Sequence, residues 1–222
     1  MIWEHDFVER LSDVDLGDVF NPYRDRCEVH DLDDAPRIRR ENLIDVLTMW
    51  HLVDVDSIWF GRDLGYRGGR RTGLALTDEI AMGSYSRSGA GRVVRATRGL
   101  PVAERTAAVI WSVISRLEKP PVLWNAFPLH PHAPGEPFTN RAHSARERVA
   151  TAWAIEALIE RFNKPRLIAI GNDASKALSD LGFEHELVRH PSYGGQKEFI
   201  SRMEATYSLE PETREDQRVR LL

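Results

Sequence analysis

Four short apolar runs, each closing on a loop-forming stretch, recur between amphipathic segments and constrain this chain more than any other feature. SIWFG (57–61), PVLWNAF (121–127), RLIAIG (166–171) and HELVRH (185–190) each read as a strand. Helical periodicity fills the intervals. Residues 3–13 and 40–53 are expected helices, the second with Leu43, Ile44, Leu47 and Trp50 on one face. Residues 102–117 align Val102, Thr106, Val109, Val113 and Leu117. Ser144 is placed to cap a long helix through Phe162, with Val149, Ala152, Ile155, Ile159 and Phe162 inward. Asn172 or Asp173 caps a helix over 173–181 that Gly182 closes, and a last helix follows in GGQKEFISRMEATY. Strands alternating with helices bury both faces of a parallel sheet. The expected fold class is therefore α/β: three layers, α/β/α, around a central, mostly parallel four-stranded sheet. With 222 residues, 42% of them hydrophobic, and no repeat or linker, one domain over 1–209 and a charged C-terminal tail over 210–222 are expected.

The charge pattern qualifies what the chain can bind. The net charge of −4 opposes nucleic-acid binding in sum. Its distribution does not, because acidic residues crowd the first 56 positions and the tail. Arginines crowd the middle, at 62, 67, 70 and 71 and again at 87, 92, 95 and 98, where a polyanion can bind. The lone Cys27 excludes internal disulfides, cysteine-ligated zinc and iron–sulfur clusters. No apolar run approaches the roughly 18 residues of a membrane span. The mixed, acidic N-terminus MIWEHDFVER is no secretory signal, so the expected location is cytoplasmic.

In parallel sheets the site gathers in loops beyond the strand carboxyl ends. Three segments stand there: GRDLGYRGGRRTG (61–73), with five glycines, WNAFPLHPHAPG (124–135) and RHPSYGGQ (189–196). Taken singly, each has an ordinary structural reading. Asp63 after a strand is commonly a cap or turn former, Asn125 a turn residue, and His190-Pro191-Ser192 a structural corner. His130 and His132 alternate as metal ligands do, but with no further ligand in sight they order the Pro-rich loop or touch phosphate; no metal and no cofactor are expected. Residues 83–100, GSYSRSGAGRVVRATRGL, read as a mobile excursion.

In this order on successive strands, the three segments resemble the uracil-DNA glycosylase superfamily, in its cysteine-poor bacterial branch, from about Ser57 to Phe199. GRD (61–63) stands where the superfamily carries its water-positioning motif, LWNA (123–126) resembles the strand that presents a base-reading Asn, and HPSYGG (190–195) resembles the His-Pro-Ser loop. The resemblance implies a monofunctional DNA glycosylase, a monomer whose partner is DNA, duplex or single-stranded, with a pyrimidine flipped out. The residue types suit that reaction. Breaking the glycosidic bond leaves an oxocarbenium-like sugar and an anionic base. Asp63 stabilises the cation and orients water, and a neutral His190 donates to the charge growing on the pyrimidine O2. Asn125 offers a donor and an acceptor to the flipped base. Arg62, Arg70, Arg71, His130, His132, Ser192, Tyr193 and Gly194 are the expected DNA contacts. No Lys stands in the three loops, so Schiff-base lyase chemistry is not expected.

Three departures bear on the substrate. Arg62 occupies the position at which some branches carry a catalytic Glu, which leaves catalysis to Asp63. Gly65 stands where uracil enzymes carry a Tyr that blocks bulk at pyrimidine C5, and Leu76 where an aromatic stacks on the base. Tyr66 is the residue that can restore part of the wall. Base–aromatic stacking is worth roughly 1–3 kcal/mol, so these changes weaken uracil binding while enlarging the pocket toward C5. They tilt the expected substrate to a C5-modified pyrimidine, such as the hydroxymethylated or glucosylated cytosines of some phage genomes, in antiviral defence. The alternatives are a uracil-DNA glycosylase of base excision repair and a flipped-base DNA-binding protein that no longer cuts. A small-molecule Rossmann-like enzyme is disfavoured because 61–73 has neither dinucleotide nor Walker glycine spacing.

Overall fold

The computed structural model describes residues 2–87 and 93–211. Its elements are α1 (Ile2–Ser12), β1 (Val19–Phe20), α2 (Ala35–Leu52), β2 (Ser57–Asp63), α3 (Gly69–Thr72), α4 (Met82–Arg87), α5 (Arg105–Ile114), β3 (Val122–Phe127), β4 (His130–Pro131), α6 (Ala145–Arg161), β5 (Arg166–Ile170), α7 (Asn172–Asp180), β6 (Glu186–Val188) and α8 (Gln196–Tyr207). The main sheet has the order β3-β2-β5-β6. All its pairings are parallel, with Gly61 opposite Asn125 and Phe60 opposite Ala169. The expected α/β/α fold with a four-stranded parallel sheet is therefore present. A second, antiparallel clip pairs β1 with β4, Phe20 opposite His130.

The crossovers explain the layers. Connections between parallel strands are right-handed. β2→β3 runs toward one edge, whereas β3→β5 and β5→β6 run toward the other. The helices of those connections therefore lie on opposite faces, α5 on one and α6 and α7 on the other. α8 joins α5, against which it packs. Trp59 of β2 meets Phe199 and Tyr207 of α8. Phe7 of α1 bridges Trp124 of β3 and Trp153 of α6 on edge. The strand interiors Ile58, Trp59, Phe60, Ile168 and Ala169 are fully buried, as a sheet covered on both faces requires. Because the chain turns in opposite directions after β2 and β5, a crevice opens at their carboxyl ends, the topological switch point.

Several local expectations need correction. α2 starts at Ala35 rather than 40, with Pro36 in its first turn, where a missing N–H costs nothing. Ser144 forms the expected cap, a full capping box with Glu147. Of the expected inward residues of α6, Ile155, Ile159 and Phe162 are buried, but Ala152 is half-buried and Val149 exposed, and Thr151, Ala154 and Leu158 complete the buried face. Gly171, at φ 91°, caps α7 in place of Asn172 or Asp173, which are its first helical residues. The 83–100 segment is no excursion where it is described. α4 occupies its start, and Val93, Ala96 and Thr97 are buried. Asn42 clamps Val94 with two hydrogen bonds, and Leu32 N–H donates to the Ala96 carbonyl. Residues 88–92, the side chain of Arg87, and 212–222 of the expected tail lie outside the described residues. No helix among the described residues is long and apolar enough to cross a membrane.

Candidate active site

A cavity of about 550 Å³ opens at the switch point. Its lining draws on the ends of β2, β3 and β5 and on the loops after β2 and β6. Arg62, Asp63, Gly65, Leu76, Asn125, His190, Ser192 and Tyr193 all reach it, so residues up to 131 positions apart in sequence meet in one place.

Asp63 ends β2 and its side chain is 6% exposed. Arg62 Nε donates to Oδ2 at 2.8 Å, and a second Arg62 nitrogen lies 3.4 Å from Asp173. His143 Nδ1 stands 3.5 Å from the same Oδ2. Both contacts fall on Oδ2, so Oδ1 has no partner among the described residues. The Arg62 guanidinium thus fixes the carboxylate, whose other oxygen stays unpaired among the described residues.

Asn125 is presented by β3 directly opposite Gly61. It is 1% exposed, and its Oδ1 has no hydrogen-bond partner. Buried amide oxygens are rarely left so, because the desolvation is then uncompensated. Gly61 makes the room: a β-carbon there would collide with Asn125 Oδ1 and lie 2.7 Å from Leu76 Cδ2. Leu76, with a left-handed φ of 55°, covers the same spot from the other side.

His190 has a defined tautomer. Ser192 N–H donates to His190 Nδ1 at 3.1 Å, and the Ser192 hydroxyl lies 2.7 Å from the same nitrogen. Nδ1 is thereby the acceptor, and the proton resides on Nε2. Burial, reinforced by the Arg62 charge and opposed by Asp63, holds His190 below its ordinary pKa, so the ring is neutral near pH 7. Gly171 allows β5 to pass close by, since a β-carbon there would lie 3.3 Å from His190 Cβ. The site thus combines a carboxylate with one free oxygen, a neutral imidazole N–H and an unpaired amide around one cavity.

The other expected contacts separate. Tyr193 is 99% exposed at φ 49° and Gly194 follows at φ 81°, so this loop tip projects from the cavity rim. Tyr66 is half-buried, its N–H donating to Asn140 Oδ1 at 2.9 Å, and it is not among the lining residues. Arg70 and Arg71 are not surface groups. They are 2% and 6% exposed, Arg70 lying 3.9 Å over the Phe20 ring and Arg71 paired with buried Glu79 at 3.1 Å. Burial in the core removes them as phosphate contacts. His130 is fully buried; its Nδ1 lies 2.7 Å from the Leu64 carbonyl, and burial lowers its pKa to about 4. It is therefore a neutral internal brace of the loop after β2, not a phosphate ligand. His132 is half-buried with its ring 5.9 Å from that of His130. No group of three metal-ligating side chains occurs among the described residues.

Sequence reading missed His143, Asn140 and Glu104, which also reach this site. None stands beside a strand end in sequence. His143 precedes the Ser144 cap, and Glu104 precedes α5. Only the packing of these helices brings them to Asp63 and Gly65.

No family model matches the chain, and no curated protein matches it. Among solved structures its fold is similar to the crystal structure of wild-type SMUG2 from Pedobacter heparinus, with a TM-score of 0.61 and 14% identity over 93% of this chain and 97% of that one. What this likeness shows is a shared three-layer α/β/α fold.

Proposed function

We propose that this chain is a monofunctional DNA glycosylase that flips a pyrimidine into the switch-point cavity and hydrolyses its N-glycosidic bond. The observation that carries the reading is Asn125: it lines one cavity with Asp63 and His190, and its amide oxygen lies buried under Leu76 without a partner. A flipped base that displaces Leu76 supplies the missing partner and offers matching donors and acceptors on its edge. The fold likeness to SMUG2 and the resemblance of the three loops to the uracil-DNA glycosylase superfamily support the same reading.

The chemistry follows from the geometry. Water adds to C1′ as the C1′–N1 bond breaks, and Asp63 orients the water, takes up its proton and balances the cationic sugar. His190 meets the leaving base with a neutral N–H, which stabilises charge on O2 without first surrendering a proton. Arg62 and Tyr193, at the rim, face the DNA, with Ser192 and Gly194 beside them. The substrate tilts to a C5-modified pyrimidine because Gly65 and Leu76 line the cavity where bulkier aromatic walls suit bare uracil. Uracil repair is the second reading, supported by the motif order alone.

The test is incubation with duplexes carrying uracil, hypoxanthine or phage-type modified cytosines, followed by cleavage at abasic sites. Wild type should generate abasic sites from at least one of them, and Asp63→Asn should lose most of that activity while keeping DNA affinity. Binding without cleavage by wild type would instead identify a flipped-base binding protein.

A further inference from the structure

The inner wall of the cavity contains a group that neither packing nor the reaction explains. Glu104 precedes α5, held by its N–H, which donates to Asp78 Oδ2. Its side chain lines the cavity beside Gly65 and Gly68. None of the hydrogen bonds or ion pairs among the described residues uses its carboxylate oxygens. Burial, reinforced by Asp78 and opposed by Arg67, raises its pKa. The chain has cleared space for this group. A β-carbon at Gly65 would lie 3.2 Å from Glu104 Oε1, and one at Gly68 would collide with Oε2. At Gly65 no left-handed φ demands glycine; a β-carbon there would crowd the carboxyl and narrow the cavity beside it.

Resting on the glycosylase reading above, we propose that Glu104 is a specificity-determining residue. Its carboxylate accepts a hydrogen bond from a hydroxyl on the C5 substituent of the flipped pyrimidine. Gly65 leaves the opening and Glu104 stands at it, so a substituent that enters there meets an acceptor and no donor. A hydroxymethyl group satisfies the carboxylate. A methyl group fills the space and further desolvates an unpaired carboxylate, and a carboxyl group adds like-charge repulsion. Hydrogen bonds to charged groups convert to a preference of about ten- to hundredfold for hydroxymethyl over methyl.

The experiment compares wild type, Glu104→Gln and Glu104→Leu on duplexes carrying 5-hydroxymethyl-, 5-methyl- or 5-carboxyl-pyrimidine, with uracil as reference. Single-turnover excision and duplex binding are both measured, and thermal melting checks that each variant is folded. Wild type should favour hydroxymethyl over methyl and exclude carboxyl. Glu104→Gln should keep hydroxymethyl within a few-fold and gain on the carboxyl base, because its amide donates as well as accepts. Glu104→Leu should reverse the preference toward methyl. Unchanged ratios in both folded variants overturn the assignment. Should no base be excised by any form, the glycosylase reading falls, and the binding ratios still decide the role of Glu104.

Discussion

Replacing Asn125 with Leu should make the protein more stable and less active. The amide is 1% exposed and its Oδ1 has no partner, so folding desolvates that oxygen without return. An unsatisfied buried polar atom costs about 1–3 kcal/mol, and replacing it with an apolar group of similar length removes the cost. Leu is somewhat bulkier, but the side chain borders the cavity, and Gly61 opposite has no β-carbon to meet it. The expected net gain is ~1 kcal/mol, which for a domain of this size raises Tm by roughly 2–4 °C. Excision should fall by about a hundredfold, the equivalent of two hydrogen bonds to the base. Urea titration and calorimetry on the DNA-free protein give the first number, and single-turnover kinetics the second. If Asn125→Leu lowers stability by ~1 kcal/mol or more, the amide serves the fold, and the argument that it awaits a ligand is wrong.

Other substitutions separate fold from chemistry. Gly61→Ala places a β-carbon against the ends of Asn125 and Leu76, both side-chain atoms that can give way. Stability should drop by only ~1 kcal/mol while excision drops far more, as unfolding and kinetics measured together will show. His190→Ala should slow excision by about 10²–10³-fold with DNA affinity nearly intact, and a rate within a few-fold of wild type would move the O2 donor elsewhere. Since burial and Arg62 hold His190 below its ordinary pKa, wild-type activity should persist as pH falls through the imidazole range. Arg62→Gln should move the acid limb of the pH–rate profile upward, because the charge that disfavours the imidazolium is gone. His130 predicts an acid-sensitive fold: it is neutral down to about pH 4 when folded, whereas the unfolded ring takes up a proton below about 6.5. Its contribution is intact above the unfolded value and is lost as pH falls to the folded one, amounting to ~3 kcal/mol. Unfolding free energies at pH 7 and 4.5 should differ less in His130→Gln than in wild type.

What the sequence determined by itself was whatever depends on local pattern. Runs such as SIWFG and RLIAIG are too short and too apolar for anything but buried strands. Their alternation with amphipathic helices leaves a parallel α/β/α sheet as the expected arrangement, with Asp63, Asn125 and His190 at or beyond strand ends. Tertiary structure alone decided which charged residues are surface and which are core. Arg70 and Arg71 have the composition of a phosphate-binding stripe, yet β1 and Glu79 enclose them, and a guanidinium packed on Phe20 reads no differently in sequence from an exposed one. His130 likewise became a brace because the β1–β4 clip buries it. Glu104 and His143 reached the cavity only because α5 and α6 lie on opposite faces of the sheet while their N-terminal approaches converge at its carboxyl edge. Periodicity records which face of an element is buried; it carries no record of which distant side chain will stand across a cavity from it.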